Sequence, residues 1–180
     1  MSLLRQTALA VALAISVIGA GCNPADEGAE SGSADQALAM SSEAALSAKT
    51  VRAYYASAYA ADQIGALAPL FDDRVVVEAP SILILKGKNE IGKKEFLGLA
   101  AGVKEYLAGA RVREVISHGD NLVVARIDLP LPNGDLLTQV EFFEVHGGKI
   151  THLQSYYDGL RFTKALPAIA IDKLKRALGV

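Results

Sequence analysis

Two charged side chains, Arg126 and Asp128, stand two residues apart in a run of alternating polar and aliphatic residues, Val124 to Leu129. In a β-strand that spacing puts both on one face. Asn133-Gly134 follows, a dipeptide favoured in two-residue hairpins, and a loop of that length sets Arg126 opposite Glu141 and Asp128 opposite Gln139 on the next strand. The hairpin thus gathers a guanidinium and two carboxylates, Arg126, Asp128 and Glu141, on one polar face, groups that could serve acid–base chemistry. The same register gathers Ala125, Ile127, Leu129, Thr138, Val140 and Phe142 on the other, oily face. Two assignments follow. Either the oily face meets the helices and the charges form a solvated cross-strand pair of little energetic weight, or the polar set lines an interior hollow and the oily face points outward.

The remaining reactive residue types form no comparable pattern. His118 and His146 sit beside turns, His152 lies on a strand face opposite Leu153 and Ser155, and no Ser, Cys or second His stands at triad or metal-site spacing. No phosphate-binding glycine loop and no internal repeat occurs, so no cofactor or metal is expected. With Lys+Arg 18, Asp+Glu 20 and a net charge of -2, the chain offers no broad surface to a polyanion, and nucleic acid is not an expected partner. The 180 residues, 51% hydrophobic and 21% charged, suit one globular domain.

The single cysteine, Cys22, excludes an internal disulfide. It follows Arg5, an apolar run from Thr7 to Ile18 and the small residues Gly19-Ala20-Gly21. That arrangement is a signal-peptide core, too short to span a bilayer comfortably, and it resembles a bacterial lipoprotein signal, although Gly19 stands where an aliphatic residue is usual. The resemblance implies residues 1–21 as signal peptide, Cys22 as the site of lipid (palmitate) attachment, and a location in the bacterial cell envelope, outside the cytoplasm. The membrane would be met through that lipid only. Residues 22–43 are rich in Asp, Glu, Gly, Ser and Ala and read as an acidic flexible tether.

Helix and strand signals then alternate. Ser41 or Ser42 can cap a first helix reaching to about Ala60, with Val51, Tyr55, Ala58 and Tyr59 on one face. Asp62 could cap a short second helix carrying Leu67, Leu70 and Phe71. Val75–Val77 and Ile82–Leu85 are β-rich runs broken at Pro80. A third helix starts near Asn89, with Phe96, Leu99, Ala100, Val103 and Leu107 as its apolar stripe. Four strands follow, about Val112–His118, Leu122–Leu129, Leu136–Val145 and Ile150–Tyr157, the last three a meander. Pro167 to Leu178 reads as a tail helix. The expected fold class is α+β: a cone-shaped domain whose curved, mostly antiparallel sheet carries three helices on its concave face, with the domain at 44–160 and a C-terminal helical tail at 161–180.

Several short motifs, in this order and spacing, resemble the SnoaL-like, nuclear-transport-factor-2-like superfamily. They are Tyr55 on the first helix, Leu70-Phe71-Asp72-Asp73 before Val75 to Pro80, and Lys86-Gly87-Lys88. Arg126-Ile127-Asp128, Leu131-Pro132-Asn133-Gly134, Gly148-Lys149-Ile150-Thr151 and Tyr156-Tyr157-Asp158 are similar to the limonene epoxide hydrolase branch. The resemblance implies an apolar pocket within the cone and dimerisation through the outer sheet surface, hence a homodimer. Beside ketosteroid isomerase, which works with an Asp base, a Tyr and a protonated Asp, Tyr55 matches the tyrosine. Ungapped counting, however, puts Ala79 at the base, and Val140, or its neighbour if the hairpin differs by one residue, at the second acid. Beside the epoxide hydrolases, in which an arginine holds two acids in different protonation states, the resemblance implies Asp128, Arg126 and Glu141 as candidate catalytic residues. Ser155, however, stands where the second acid belongs, and Glu141 or Glu78 would have to substitute for it.

The expected ligand is a small, largely apolar molecule held by Tyr55, Tyr59, Glu78, Arg126 and Asp128 together with Gln139, Glu141, Ser155 and Tyr157. The alternatives are a hydrolase or isomerase acting on such a ligand, and a non-catalytic dimerisation module in which Ile127→Lys breaks self-association.

Overall fold

A computed structural model describes residues 41–58, 64–107 and 109–180. The signal, Cys22, the tether up to residue 40 and Tyr59 lie outside the described residues, and Ser42 and Glu43, expected in the tether, are helical. Helix α1, Ser42–Ala58, begins where the Ser41 hydroxyl accepts a hydrogen bond from the Ala44 amide at 3.0 Å, a capping contact that satisfies one of the otherwise orphaned first-turn donors. Two short 3-10 turns, Ile64–Ala66 and Ala68–Leu70, stand where a second helix is expected, and Phe71 already belongs to strand β1, Phe71–Glu78.

The run after Pro80 is helical rather than a strand. Helix α2, Pro80–Lys86, has Pro80 in its first turn, where the ring fixes φ and the missing N–H costs nothing, and ends at Gly87 with φ 71. Those two end signals outweigh the β-rich composition of Ile82–Leu85. Strand β2, Glu90–Ile91, and helix α3, Lys93–Val103, follow. The four later strands are β3 Arg111–His118, β4 Leu122–Pro130, β5 Leu136–His146 and β6 Lys149–Tyr156. Helices α4, Gly159–Ala165, and α5, Ala168–Leu178, complete the chain; α4 is unannounced in the sequence pattern.

The sheet order is β2-β1-β6-β5-β4-β3. β1 runs parallel to β6, and every other pair is antiparallel. The α+β cone with a mostly antiparallel sheet is thus the observed fold, and helices α1, α3 and the α2–α4–α5 group share its covered side. Val123, Ala125, Ile127 and Leu129 of β4 are all within 2% of full burial and join Tyr54, Phe71 and Phe143 in one core. Residues 161–180 lie inside the same compact unit as the rest of the described chain.

The β4–β5 hairpin decides which side chains meet that core. Its strands close at Pro130↔Leu136, and Leu131 N–H donates to the Asp135 carbonyl at 2.7 Å while Gly134 N–H donates to the Leu131 carbonyl at 2.9 Å. Gly134 has φ 89. This is a three-residue connection, a turn with Pro132 second and a glycine in the left-handed region last, not the two-residue turn expected from Asn133-Gly134. The odd residue shifts the register by one: Arg126 pairs with Val140, Asp128 with Thr138, Ala125 with Glu141 and Ile127 with Gln139. A shift of one exchanges the faces of a whole strand relative to its neighbour.

Candidate functional site: a polar corner in an apolar cavity

The core opens into a cavity of about 120 Å³. Its helical wall comes from Tyr54 of α1, from Phe96, Leu99 and Val103 of α3, and from Leu174 and Leu178 of α5, while Val77 and Leu129 form the apolar part of the sheet floor. The polar lining residues are Gln139, Glu141, Ser155, Tyr157 and Ser81, together with Tyr54 of the helical wall, and the lining includes no Lys, Arg or His among the described residues. Cavities of this volume accept a single small ring and stay dry when their walls are apolar.

Among the described residues Glu141 is the only carboxylate in the lining, and it is 3% exposed. Its Oε2 accepts from the Tyr55 hydroxyl at 2.6 Å, and its Oε1 accepts from Ser155 Oγ at 2.9 Å and from the Gln139 side-chain amide. The three donors are delivered by regular structure. Gln139 and Glu141 are two apart on β5, Ser155 is the direct partner of Glu141 on β6, and Tyr55 comes from the last turns of α1. Burial pushes the Glu141 carboxyl above the usual carboxylate range, and the hydrogen bonds from Tyr55, Ser155 and Gln139 pull the other way without reversing it. The neutral acid has an O–H to donate, which an ionised carboxylate lacks.

A second pair adjoins the first. Tyr157 OH and Ser81 Oγ are 2.5 Å apart, and the Tyr157 ring packs edge-on against Phe162 at 5.5 Å. Burial drives the phenol up to about 12, so the hydroxyl keeps its proton at ordinary pH, and either oxygen of the pair can be the donor. Ser81 sits in the first turn of α2, and the sequence carries its signal in Pro80-Ser81, a helix start that the β-rich residues after it obscure. Tyr54, next to Tyr55, is likewise absent from the sequence expectation. Its ring makes edge contacts with Phe71 and Phe143 and stacks on Phe96, so two successive helix residues serve core and site.

Of the expected site residues, Tyr55, Gln139, Glu141, Ser155 and Tyr157 come together. Arg126, Asp128 and Glu78 do not. Arg126 is exposed on the opposite face of β4. Asp128, also on that face, accepts from Arg113 Nε at 2.7 Å and from Thr138 Oγ1 at 3.1 Å, and the Arg113 hydrogen bond holds its carboxyl below the usual carboxylate range. Glu78 pairs with His152 Nε2 at 2.8 Å on the outer side of β1 and β6. The three-residue hairpin is the physical reason for the first two, and strand alternation for the third. The acid, arginine and acid set of an epoxide-opening site is therefore split across the sheet. Ile127, expected on an outward oily face, is wholly buried instead. The same register puts Glu141, the neighbour of Val140, in hydrogen-bond contact with Tyr55, while Ala79 remains at the position of an isomerase base. No group of three or more His, Cys, Asp or Glu able to hold a metal ion is present among the described residues.

No family model and no curated protein matches the chain. Solved structures do. A putative polyketide cyclase from Xanthomonas campestris pv. campestris is 21% identical with a TM-score of 0.54, over 69% of this chain and 98% of that one. An NTF-2 like protein of unknown function from Burkholderia xenovorans LB400 is 22% identical with a TM-score of 0.53, over 63% and 84%. An LEH-like epoxide hydrolase of M. tuberculosis is 17% identical with a TM-score of 0.51, over 68% and 90%. The chain has the NTF2-like cone fold. At these identities the likeness extends to the fold, and function has to be argued from the cavity.

Proposed function

We propose that this domain binds a small, uncharged, largely apolar molecule carrying one oxygen function, its body among the side chains of α3 and α5 and its oxygen at Glu141. The observation that carries the reading is a buried carboxyl, held by Tyr55, Ser155 and Gln139, in the wall of a mostly apolar cavity whose other polar groups are uncharged among the described residues. An anionic ligand would meet Glu141 with no lysine, arginine or histidine to compensate its charge. Titration with cyclohexanone, followed calorimetrically, tests this. Wild type binds, and Ala100→Phe, which fills the cavity from α3 with a ring, abolishes binding while the domain stays folded. Equal binding by the filled variant overturns the reading.

A second reading, proton transfer of isomerase type, draws on Glu141 as the carboxyl that the described cavity lining presents: as carboxylate it would take a proton from the carbon beside a ketone, and as acid return it to another carbon of the resulting enolate, with Tyr55 donating to its Oε2. Glu141 would then be the catalytic residue. Activity on a panel of unsaturated ketones that disappears in Glu141→Gln supports it, and absence of turnover across the panel removes it.

We further infer that two copies associate through the outer sheet face. Ile116, Phe142 and Tyr156 are 50%, 36% and 51% exposed there, and the last two rings meet edge-on at 5.5 Å. Sedimentation equilibrium reads this directly: Phe142→Lys yields monomer from dimer, and a monomeric wild type refutes the pairing. Export and lipid attachment at Cys22 belong to the same proposal, supported by the sequence pattern alone. Incorporation of a palmitate analogue into wild type and its loss in Cys22→Ser test them.

A further inference from the structure

Helix α5 buries Ala170, Leu174 and Leu178, three residues on one stripe at a spacing of four, and presents the last two to the cavity. It lies against α3 at close range. A Cβ added to Gly98 would come within 3.1 Å of Ala177 Cβ, and one added to Gly102 within 3.5 Å of Lys173 Cβ, so the two backbones approach because α3 carries glycine where they cross. Lys173 Nζ also donates to Glu105 Oε1 at 2.7 Å, tying α5 to the turn that follows α3. The wall formed by α5 is thus pinned in place, and its two leucines occupy fixed volume at the cavity boundary.

The polar corner and this wall are made by different parts of the chain. Gln139, Glu141, Ser155 and Tyr157 come from β5, β6 and the residue directly after β6, whereas Leu174 and Leu178 come from the last helix. A ligand whose oxygen is anchored at the corner extends its apolar part through the remaining space, and α5 supplies part of the surface that stops it. We propose that Leu174 and Leu178 are specificity-determining residues that set the maximum length of the apolar part of the ligand. This inference rests on the small-ligand reading above and adds to it which side chains choose among homologous ligands.

Linear alkan-2-ones of increasing chain length are the probe, measured by calorimetry on the folded domain. For wild type, each added methylene strengthens binding by about fourfold while it is buried, and the gain stops at a definite length. Leu178→Ala, in the final turn of α5, moves that stop to longer ketones by about three carbons, the number the substitution deletes, and Leu174→Ala moves it in the same direction. Leu178→Phe moves it to shorter ketones and carries the test if an alanine variant fails to fold. Ile169→Ala, on the same helix but 59% exposed, leaves the stop where it is.

An unchanged stop in folded Leu174→Ala and Leu178→Ala proteins that still bind short ketones overturns the inference and leaves the pocket reading intact. A shift of the same size in Ile169→Ala also overturns it, since loosening of the helix rather than contact with ligand would then be responsible. Wild type that binds no member of the series overturns the pocket reading and this inference with it.

Discussion

Glu141 and Asp128 are carboxylates on neighbouring strands, and the sheet between them gives them opposite chemistry. Asp128 faces outward, takes hydrogen bonds from Arg113 and Thr138, and is held more acidic than an ordinary carboxylate. Glu141 faces the helices, takes hydrogen bonds from three uncharged groups, and is pushed the other way by burial. A guanidinium compensates the first charge in place, and among the described residues nothing of opposite sign lines the cavity around the second. The comparison teaches that the side of the sheet decides which influence wins: burial outweighs three neutral hydrogen bonds at Glu141, and the hydrogen bond from a charged guanidinium outweighs partial burial at Asp128. It also teaches that a ligand entering the cavity meets a carboxyl whose proton is held more tightly than usual, rather than an ion pair.

The two faces should differ most when a charge is forced onto each. Ile127 has no exposed surface, and Ile127→Lys places an unpaired ammonium in the core at a cost of about 4 kcal/mol or more, enough to unfold a marginally stable domain. Arg126→Glu, one residue away on the outer face, should change stability by no more than about 0.5 kcal/mol. Urea melts of the pair read the difference. Comparable losses would mean that the faces are not as distinct as the register makes them. The Ile127 result also separates folding from assembly: the variant should be found unfolded, not as a folded monomer.

Gly159 sharpens the inner side at the next level of effect. A Cβ there would fall 2.7 Å from Pro80 Cβ and 2.9 Å from its carbonyl carbon, so the starts of α4 and α2 touch backbone to backbone beside the Ser81–Tyr157 contact. Gly159→Ala must separate them, and a loss of about 1–3 kcal/mol is expected in thermal unfolding. Tyr55→Phe removes a donor from a buried carboxyl without changing the ring, and about 1–3 kcal/mol is the ordinary consequence. If Tyr55→Phe is silent, the hydroxyl adds nothing to the hold on Glu141, and the inner carboxyl is defined by burial and by Ser155 and Gln139.

Much of this arrangement is written in the chain. The four long strands, α1, α3 and α5 follow from periodicity, and Tyr55, Gln139, Glu141, Ser155 and Tyr157 do meet. What the sequence conceals turns on single residues. Pro132 takes the second place of a turn and makes the β4–β5 connection three residues long, yet Asn133-Gly134 equally suits a two-residue loop, and the two solutions exchange the faces of Arg126 and Glu141. Residues Ile82–Leu85 have strand composition, but a proline before and a left-handed glycine after make them helical. Helix α5 reads as a charged tail because Lys173, Lys175 and Arg176 dominate its composition, while its partner, the glycine-bearing side of α3, is a long-range contact that local pattern does not contain.

The pH dependence of stability tests the comparison on both carboxyls at once. Because the folded-state value of Glu141 is raised, its contribution is full below the unfolded carboxylate value and is lost as pH rises through the folded one. Each unit between the two values costs about 1.4 kcal/mol. Glu141→Gln keeps the shape and cannot ionise, so the difference in urea midpoint between variant and wild type should move in the variant's favour as pH is raised from 5 to 8. A constant difference would mean that the inner carboxyl titrates like an exposed one.

Asp128 gives the smallest effect and the opposite sign. Its folded-state value is lowered, chiefly by the Arg113 hydrogen bond, so what it contributes is present above the unfolded carboxylate value and lost as pH falls through the folded one. Water reaches this pair, with the Arg113 side chain 46% and that of Asp128 14% exposed, so solvent and salt screen it. Asp128→Asn should therefore be slightly less stable than wild type at pH 7, converge with it on acidification toward pH 2, and converge again in about 1 M salt, where the screening length falls to about 3 Å. Ligand affinity should not change, because the residue stands on the far side of the sheet from Glu141. A fall in ketone binding in Asp128→Asn would show that the outer carboxylate reaches the cavity after all, and the separation of the two faces would be broken at its most exposed point.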